Sequence, residues 1–79
     1  MRSIDNYMFN GLNKLETLIL SRNSIEKVDK NSFRHMANLM HLDLKNNLIK
    51  SIDRGIFIGI KNLKQFDISE NPCSFCFIN

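Results

Sequence analysis

The stretch Leu39-Met40-His41-Leu42-Asp43-Leu44-Lys45-Asn46-Asn47-Leu48-Ile49 sets apolar residues three and then two apart, with Asn and Ile closing the run. Shifted by 24 residues in either direction, the same columns recur. Leu15, Leu39 and Leu63 open them, followed by Leu18/Leu42/Phe66, Leu20/Leu44/Ile68, Asn23/Asn47/Asn71 and Ile25/Ile49/Cys73. Val28/Ile52/Cys76, Phe33/Phe57 and Met36/Ile60 continue the frame, and Ile4, Phe9 and Leu12 extend it backward. A repeat of about 20–29 residues with this spacing predicts a solenoid, in which each unit buries its apolar side against the next. The expected fold class is α/β, with a short parallel sheet on the concave face and loops and helical turns on the convex face.

Each column has a physical reason. Apolar residues two apart have the period of a strand with one buried side, which places strands near 17–20, 41–44 and 65–68. One strand per unit requires parallel pairing, with the rest of the unit returning the chain. Leu18, Leu20, Leu42, Leu44, Phe66 and Ile68 then point inward. The Asn column falls where the chain leaves the strand, and an amide side chain both donates and accepts. A turn-forming Asn is the simpler reading, but recurrence in phase favours a ladder between units. Asp5, Asp29 and Asp53 precede the Phe column by four residues and suit the start of a short helical or 3₁₀ turn. Phe9, Phe33 and Phe57 fill the space between sheet and turns.

The chain of 79 residues forms a single domain: a partial repeat over 1–14, repeats over 15–38 and 39–62, and a partial repeat with a terminal cap over 63–79. Net charge is +3, with basic and acidic residues interspersed, which argues against a nucleic-acid surface. No apolar run approaches the about 20 residues that span a bilayer, so the segment does not insert in a membrane. The start Met1-Arg2-Ser3-Ile4-Asp5-Asn6 has no apolar core of a secretory signal, so a cytoplasmic location stays open beside an extracellular one.

The segments Leu39 to Ile49 and Ile52-Asp53-Arg54-Gly55-Ile56-Phe57-Ile58-Gly59-Ile60 resemble leucine-rich repeats of the 24-residue, Phe-containing type. That type is common in the ectodomains of Toll-like receptors, Slit proteins and leucine-rich hormone receptors. The resemblance implies a curved solenoid whose concave sheet binds a protein ligand or co-receptor, descent from a signalling receptor ectodomain, and an extracellular or cell-surface location within a longer receptor. Asn71-Pro72-Cys73-Ser74-Phe75-Cys76 resembles the opening of a cysteine-rich C-terminal cap, and Phe75, Phe77 and Ile78 would form a lid over the last repeat.

Cys73 and Cys76 leave three readings open: buried core thiols or a disulfide, a vestigial cap, and a metal or redox pair. Zinc needs about four ligands and no second pair follows. His41 and Asp43 lie two apart on a strand and read as a solvated pair, since no nucleophile is set beside them. The chain is therefore expected to be no enzyme and to hold no cofactor or metal.

The variable strand positions must face solvent on the concave sheet. They are Thr17, Ile19 and Ser21; His41, Asp43 and Lys45; and Gln65, Asp67 and Ser69. Glu16, Arg22, Met40, Asn46, Lys64 and Glu70 flank them. Asp43 and Asp67 form an acidic spot near Lys45, suited to a polar protein partner. Ile56 and Ile58 on the convex turn offer a weaker second patch. A structural segment of a longer array, binding nothing alone, is the alternative. The strand holding Leu18 is an open edge, so a marginal monomer or an edge-paired dimer is expected.

Overall fold

The computed structural model describes residues 2–73 and 76. Strands β1 (Ser3–Ile4), β2 (Thr17–Ile19), β3 (Lys27–Val28), β4 (His41–Asp43) and β5 (Gln65–Asp67) form two parallel sheets. The larger has the order β2-β4-β5 and pairs Thr17 with His41 and His41 with Gln65, so neighbours stand one 24-residue period apart. The ladder runs past the strand ends through Leu20 N to Asp43 O at 2.8 Å and Leu44 N to Asp67 O at 2.8 Å. The three expected strands are therefore present in the expected register.

The second sheet pairs β1 with β3 on the return side of each unit. It adds to the expected fold, since the period-two pattern places strands only near 17–20, 41–44 and 65–68. Two-residue strands are too short to show an alternation, and Ser3 and Lys27 are polar.

Ile25, Phe33, Met36, Leu39, Leu42, Leu44 and Ile49 are fully buried, or nearly so, between the sheets and the turns. Phe33 stacks on Phe9 with ring centroids 5.7 Å apart. The Asp column caps turns as expected: Oδ1 of Asp5, Asp29 and Asp53 accepts from the amides of Tyr7, Asn31 and Gly55 at 2.9, 2.8 and 2.7 Å. Among the described residues only the last becomes a 3₁₀ helix, Arg54–Phe57; the earlier two remain hydrogen-bonded turns.

That helix changes which residue enters the core. Ile56, expected on an exposed convex patch, is completely buried, while Ile58 is 76% exposed. Phe57 is only partly buried and meets Phe66 edge-on at 5.2 Å. Ile56 occupies the column position of Ser32, whose hydroxyl donates to the Ile4 carbonyl at 3.0 Å. An aliphatic side chain there displaces the neighbouring Phe toward the strands. Leu12 also departs from expectation: it is 44% exposed, although its column mates Met36 and Ile60 are buried.

Asn23, Asn47 and Asn71 build the ladder. Asn47 is 3% exposed. Its Oδ1 accepts from Asn23 N and Ile25 N, and its Nδ2 donates to Leu20 O, Leu44 O and Lys45 O. Asn71 repeats the arrangement one unit on, accepting from Ile49 N and donating to Leu44 O and Ile68 O.

The turns of adjacent units pack backbone to backbone at Gly59. A Cβ there would overlap the Cα and carbonyl of Arg34, and backbone cannot rotate away as a side chain can. Gly59→Ala is expected to cost about 2–3 kcal/mol through forced separation of the two turns. Urea unfolding of the variant checks this; a midpoint unchanged from wild type would contradict it.

Cys73 and Cys76 are joined in a disulfide, with Cα atoms 5.6 Å apart, inside the usual range of 4.4–6.8 Å. This corrects the reading as free buried thiols. Cys76 lies in the core cluster and Cys73 packs against it, so the bond sits at the end of the apolar core, beside the last turn. Phe75, Phe77 and Ile78, expected as a lid, lie outside the described residues.

Candidate functional site

Alternation along the larger sheet decides which side chains reach solvent. Leu18, Leu42 and Phe66 turn toward the core, so the residues on either side of them turn outward. The register then assembles two rungs: Thr17, His41 and Gln65, and beside it Ile19, Asp43 and Asp67. Ser21, Lys45 and Ser69 follow in the same frame just beyond the strands. Thr17, Ile19, Lys45, Gln65 and Ser69 are exposed; Ser21, His41, Asp43 and Asp67 are partly exposed. Ile19, 60% exposed, is a large apolar side chain in an otherwise polar row.

The two carboxylates are held by their own backbones. Oδ1 of Asp43 accepts from Lys45 N at 2.9 Å, and Oδ1 of Asp67 accepts from Ser69 N at 2.9 Å and from the Ser69 hydroxyl at 2.6 Å. The Ser69 side-chain bond and then its backbone bond hold the Asp67 carboxyl below its ordinary range; desolvation opposes them more weakly, and the Lys45 and His41 charges add smaller contributions. Asp67 thus stays ionised into more acidic solution. Lys45 Nζ stands 3.8 Å from a Glu70 carboxylate oxygen, and both side chains are well exposed.

At the margin of the sheet a shallow cavity of about 270 Å³ is lined by Glu16, Asn38, Met40, Asn62 and Lys64. It therefore collects three of the expected flanking residues, Glu16, Met40 and Lys64. Arg22, Asn46 and Glu70 share φ 58°, the left-handed region, each one residue before a ladder Asn. This column went unread in the sequence because Arg and Glu carry no turn signal, although Asn does. Asn38 and Asn62 form another unread column, donating to Asn13 O and Ala37 O of the preceding unit at 3.1 and 2.9 Å.

Among the described residues, no cluster of three or more His, Cys, Asp or Glu side chains is placed to hold a metal ion. No helix among them is long and apolar enough to cross a membrane. The surface so assembled can offer charge, hydrogen bonds and one apolar contact to a partner.

Comparison with protein families finds the leucine rich repeat model matching residues 1–49 and again 13–73. No curated protein matches the chain.

Proposed function

Because the chain belongs to the leucine-rich-repeat family, we propose that it is a short solenoid that binds a protein partner on the concave, open face of its three-stranded sheet. Leucine-rich repeats generally serve as non-enzymatic protein-interaction modules. The observation that carries the reading is the rung Ile19, Asp43 and Asp67: an exposed aliphatic side chain in register with two carboxylates fixed by turn hydrogen bonds. Preorganised acceptors lose little freedom on binding. They suit a basic side chain of a protein ligand or co-receptor, with an apolar neighbour of that side chain meeting Ile19. Thr17, His41, Gln65, Ser21, Arg22, Lys45 and Ser69 surround this centre as its polar rim, with Met40 an apolar neighbour at the margin.

A Cys73–Cys76 disulfide supports an extracellular or cell-surface setting, where such bonds persist. Membership of a signalling receptor ectodomain is consistent with that setting and with the family.

A panel of receptor and ligand ectodomains screened against the whole chain tests the proposal. For any partner found, the double variant Asp43→Lys/Asp67→Lys is expected to weaken binding at least tenfold, or about 1.4 kcal/mol. Ile58→Lys, on the opposite side, is expected to leave it unchanged. A partner that tolerates the double variant but is lost with Ile58→Lys would move the binding surface to the convex side.

A further inference from the structure

We propose that the cleft between the convex turns of the two complete repeats is a second docking site, which takes an acidic segment of a protein partner. A partner carboxylate lies between Lys30 and Arg34, and an aliphatic neighbour of that carboxylate rests on Ile58. The cleft encloses about 460 Å³, lined by Lys30, Asn31 and Arg34 of one turn and by Asp53, Gly55, Ile58 and Gly59 of the next. Binding clefts usually measure about 300–1,000 Å³. No residue of the concave sheet takes part, so the inference stands apart from the concave reading.

Charge is spread unevenly over the chain. The return segments 26–37 and 50–61 hold six basic residues against three acidic ones. The remainder balances five against five, so the whole net charge of +3 lies in these two segments. Two of their three acids, Asp29 and Asp53, already accept backbone amides of their own turns. The ion pairs among the described residues are Arg2–Glu26 and Lys45–Glu70, which leaves Lys30 and Arg34 without an acidic partner.

Both cations are anchored by a glycine of the following turn. A Cβ on Gly55 would stand 3.4 Å from Lys30 Cβ and 3.5 Å from Lys30 Cδ, so the lysine stem lies across that glycine. Gly59 meets the backbone of Arg34 directly. Lys30 is thus held along its stem and Arg34 at its backbone, while both residues stay exposed. A guanidinium matches a carboxylate with a fork of donors, and an ammonium adds a point charge. Asn31 supplies an amide donor beside them.

Asp53 decides between anionic ligands. Its carboxylate shares the cleft and repels a phosphate or sulfate polymer, whereas the N–H groups of a peptide can donate to it. Ile58, 76% exposed, favours a ligand that carries an apolar side chain, which a polyanion lacks.

Amide NMR titration of the whole chain with a capped peptide alternating glutamate and leucine is the test. At about 0.15 M salt the Asn31, Gly55 and Gly59 amides are expected to shift, with a Kd below about 1 mM. Lys30→Glu/Arg34→Glu is expected to weaken binding at least tenfold and Ile58→Asn about threefold. Lys14→Glu/Lys50→Glu makes the same change of charge outside the cleft and is expected to alter binding less than about threefold. Should Lys30→Glu/Arg34→Glu fail to fold by circular dichroism, Lys30→Gln/Arg34→Gln decides in its place. Absence of binding at about 1 mM overturns the proposal. So does equal binding of the glutamine–leucine peptide, an equal loss in Lys14→Glu/Lys50→Glu, or a set of shifts confined to the concave sheet. A DNA oligonucleotide of the same charge that binds the cleft more tightly than the peptide overturns it in favour of a polyanion site.

Discussion

Asn47→Ala is expected to abolish cooperative folding or bring the chain to its edge, whereas Asn23→Ala costs only about 1 kcal/mol. The difference follows from burial and from what each amide serves. Asn47 satisfies two backbone donors and three carbonyls, and its site is closed to water. An alanine leaves the buried Ile25 N without its side-chain partner and Leu44 O with the Asn71 amide alone. A stranded buried donor costs about 1–3 kcal/mol, and the lost bonds to Asn23 N, Leu20 O and Leu44 O add to it, so the total is on the order of 3 kcal/mol. A chain of this size holds only about 4–8 kcal/mol in all, near the low end of the usual range per residue. Asn23 is exposed, and water can replace its bonds to Leu20 O and Ser21 O. Asn47→Asp separates the two halves of the amide. It keeps the Oδ1 acceptor for Asn23 N and Ile25 N but turns the donor facing Leu20 O and Leu44 O into a charge. It is expected to be as damaging as alanine near neutral pH. Urea unfolding followed by circular dichroism compares the three variants. Equal losses for Asn23→Ala and Asn47→Ala would show that the ladder is a set of independent turns.

The Asn column could be read in the sequence because its chemistry is unusual at a strand exit and its recurrence is in phase. The inward Leu positions could be read for a similar reason, since period two fixes a face. Exposure of the candidate binding residues follows from the same alternation. What escaped was governed by neighbours rather than by residue type. Leu12 has the pattern of Met36 but stands at the margin of the described core, where it is 44% exposed. Ile56 and Phe57 are adjacent apolar residues, and the tight Asp53-capped turn decides which one enters the core. Strands β1 and β3 exist because the return segments pair across units, a long-range effect invisible in two residues. The left-handed column at Arg22, Asn46 and Glu70 is imposed by the turn that carries the chain from strand to ladder. Two of its three occupants are ill suited to φ 58°, so backbone demand prevails there over local preference.

Phe33→Ala carries the second large effect, a loss of about 4 kcal/mol. Phe33 is fully buried in the interior repeat and stacks on Phe9 of the preceding unit. Truncation removes the ring's transfer free energy and leaves a cavity that parallel strands held at ladder spacing cannot collapse to fill. Phe57→Ala should cost less, about 2 kcal/mol, because that ring is already partly in water and loses mainly its edge contact with Phe66. The order is diagnostic of the architecture. In a linear array each unit is stabilised by its own packing and by its two interfaces, so a defect in an interior unit weakens two junctions. Guanidinium or urea midpoints for Phe9→Ala, Phe33→Ala and Phe57→Ala measure that order directly. Phe33→Ala is expected to fall furthest, with Phe9→Ala intermediate, since its ring is buried less completely, 9% exposed against 0%. If Phe57→Ala proved the most damaging, the stability of the chain would reside in its disulfide-bearing end and the interior unit would follow it passively.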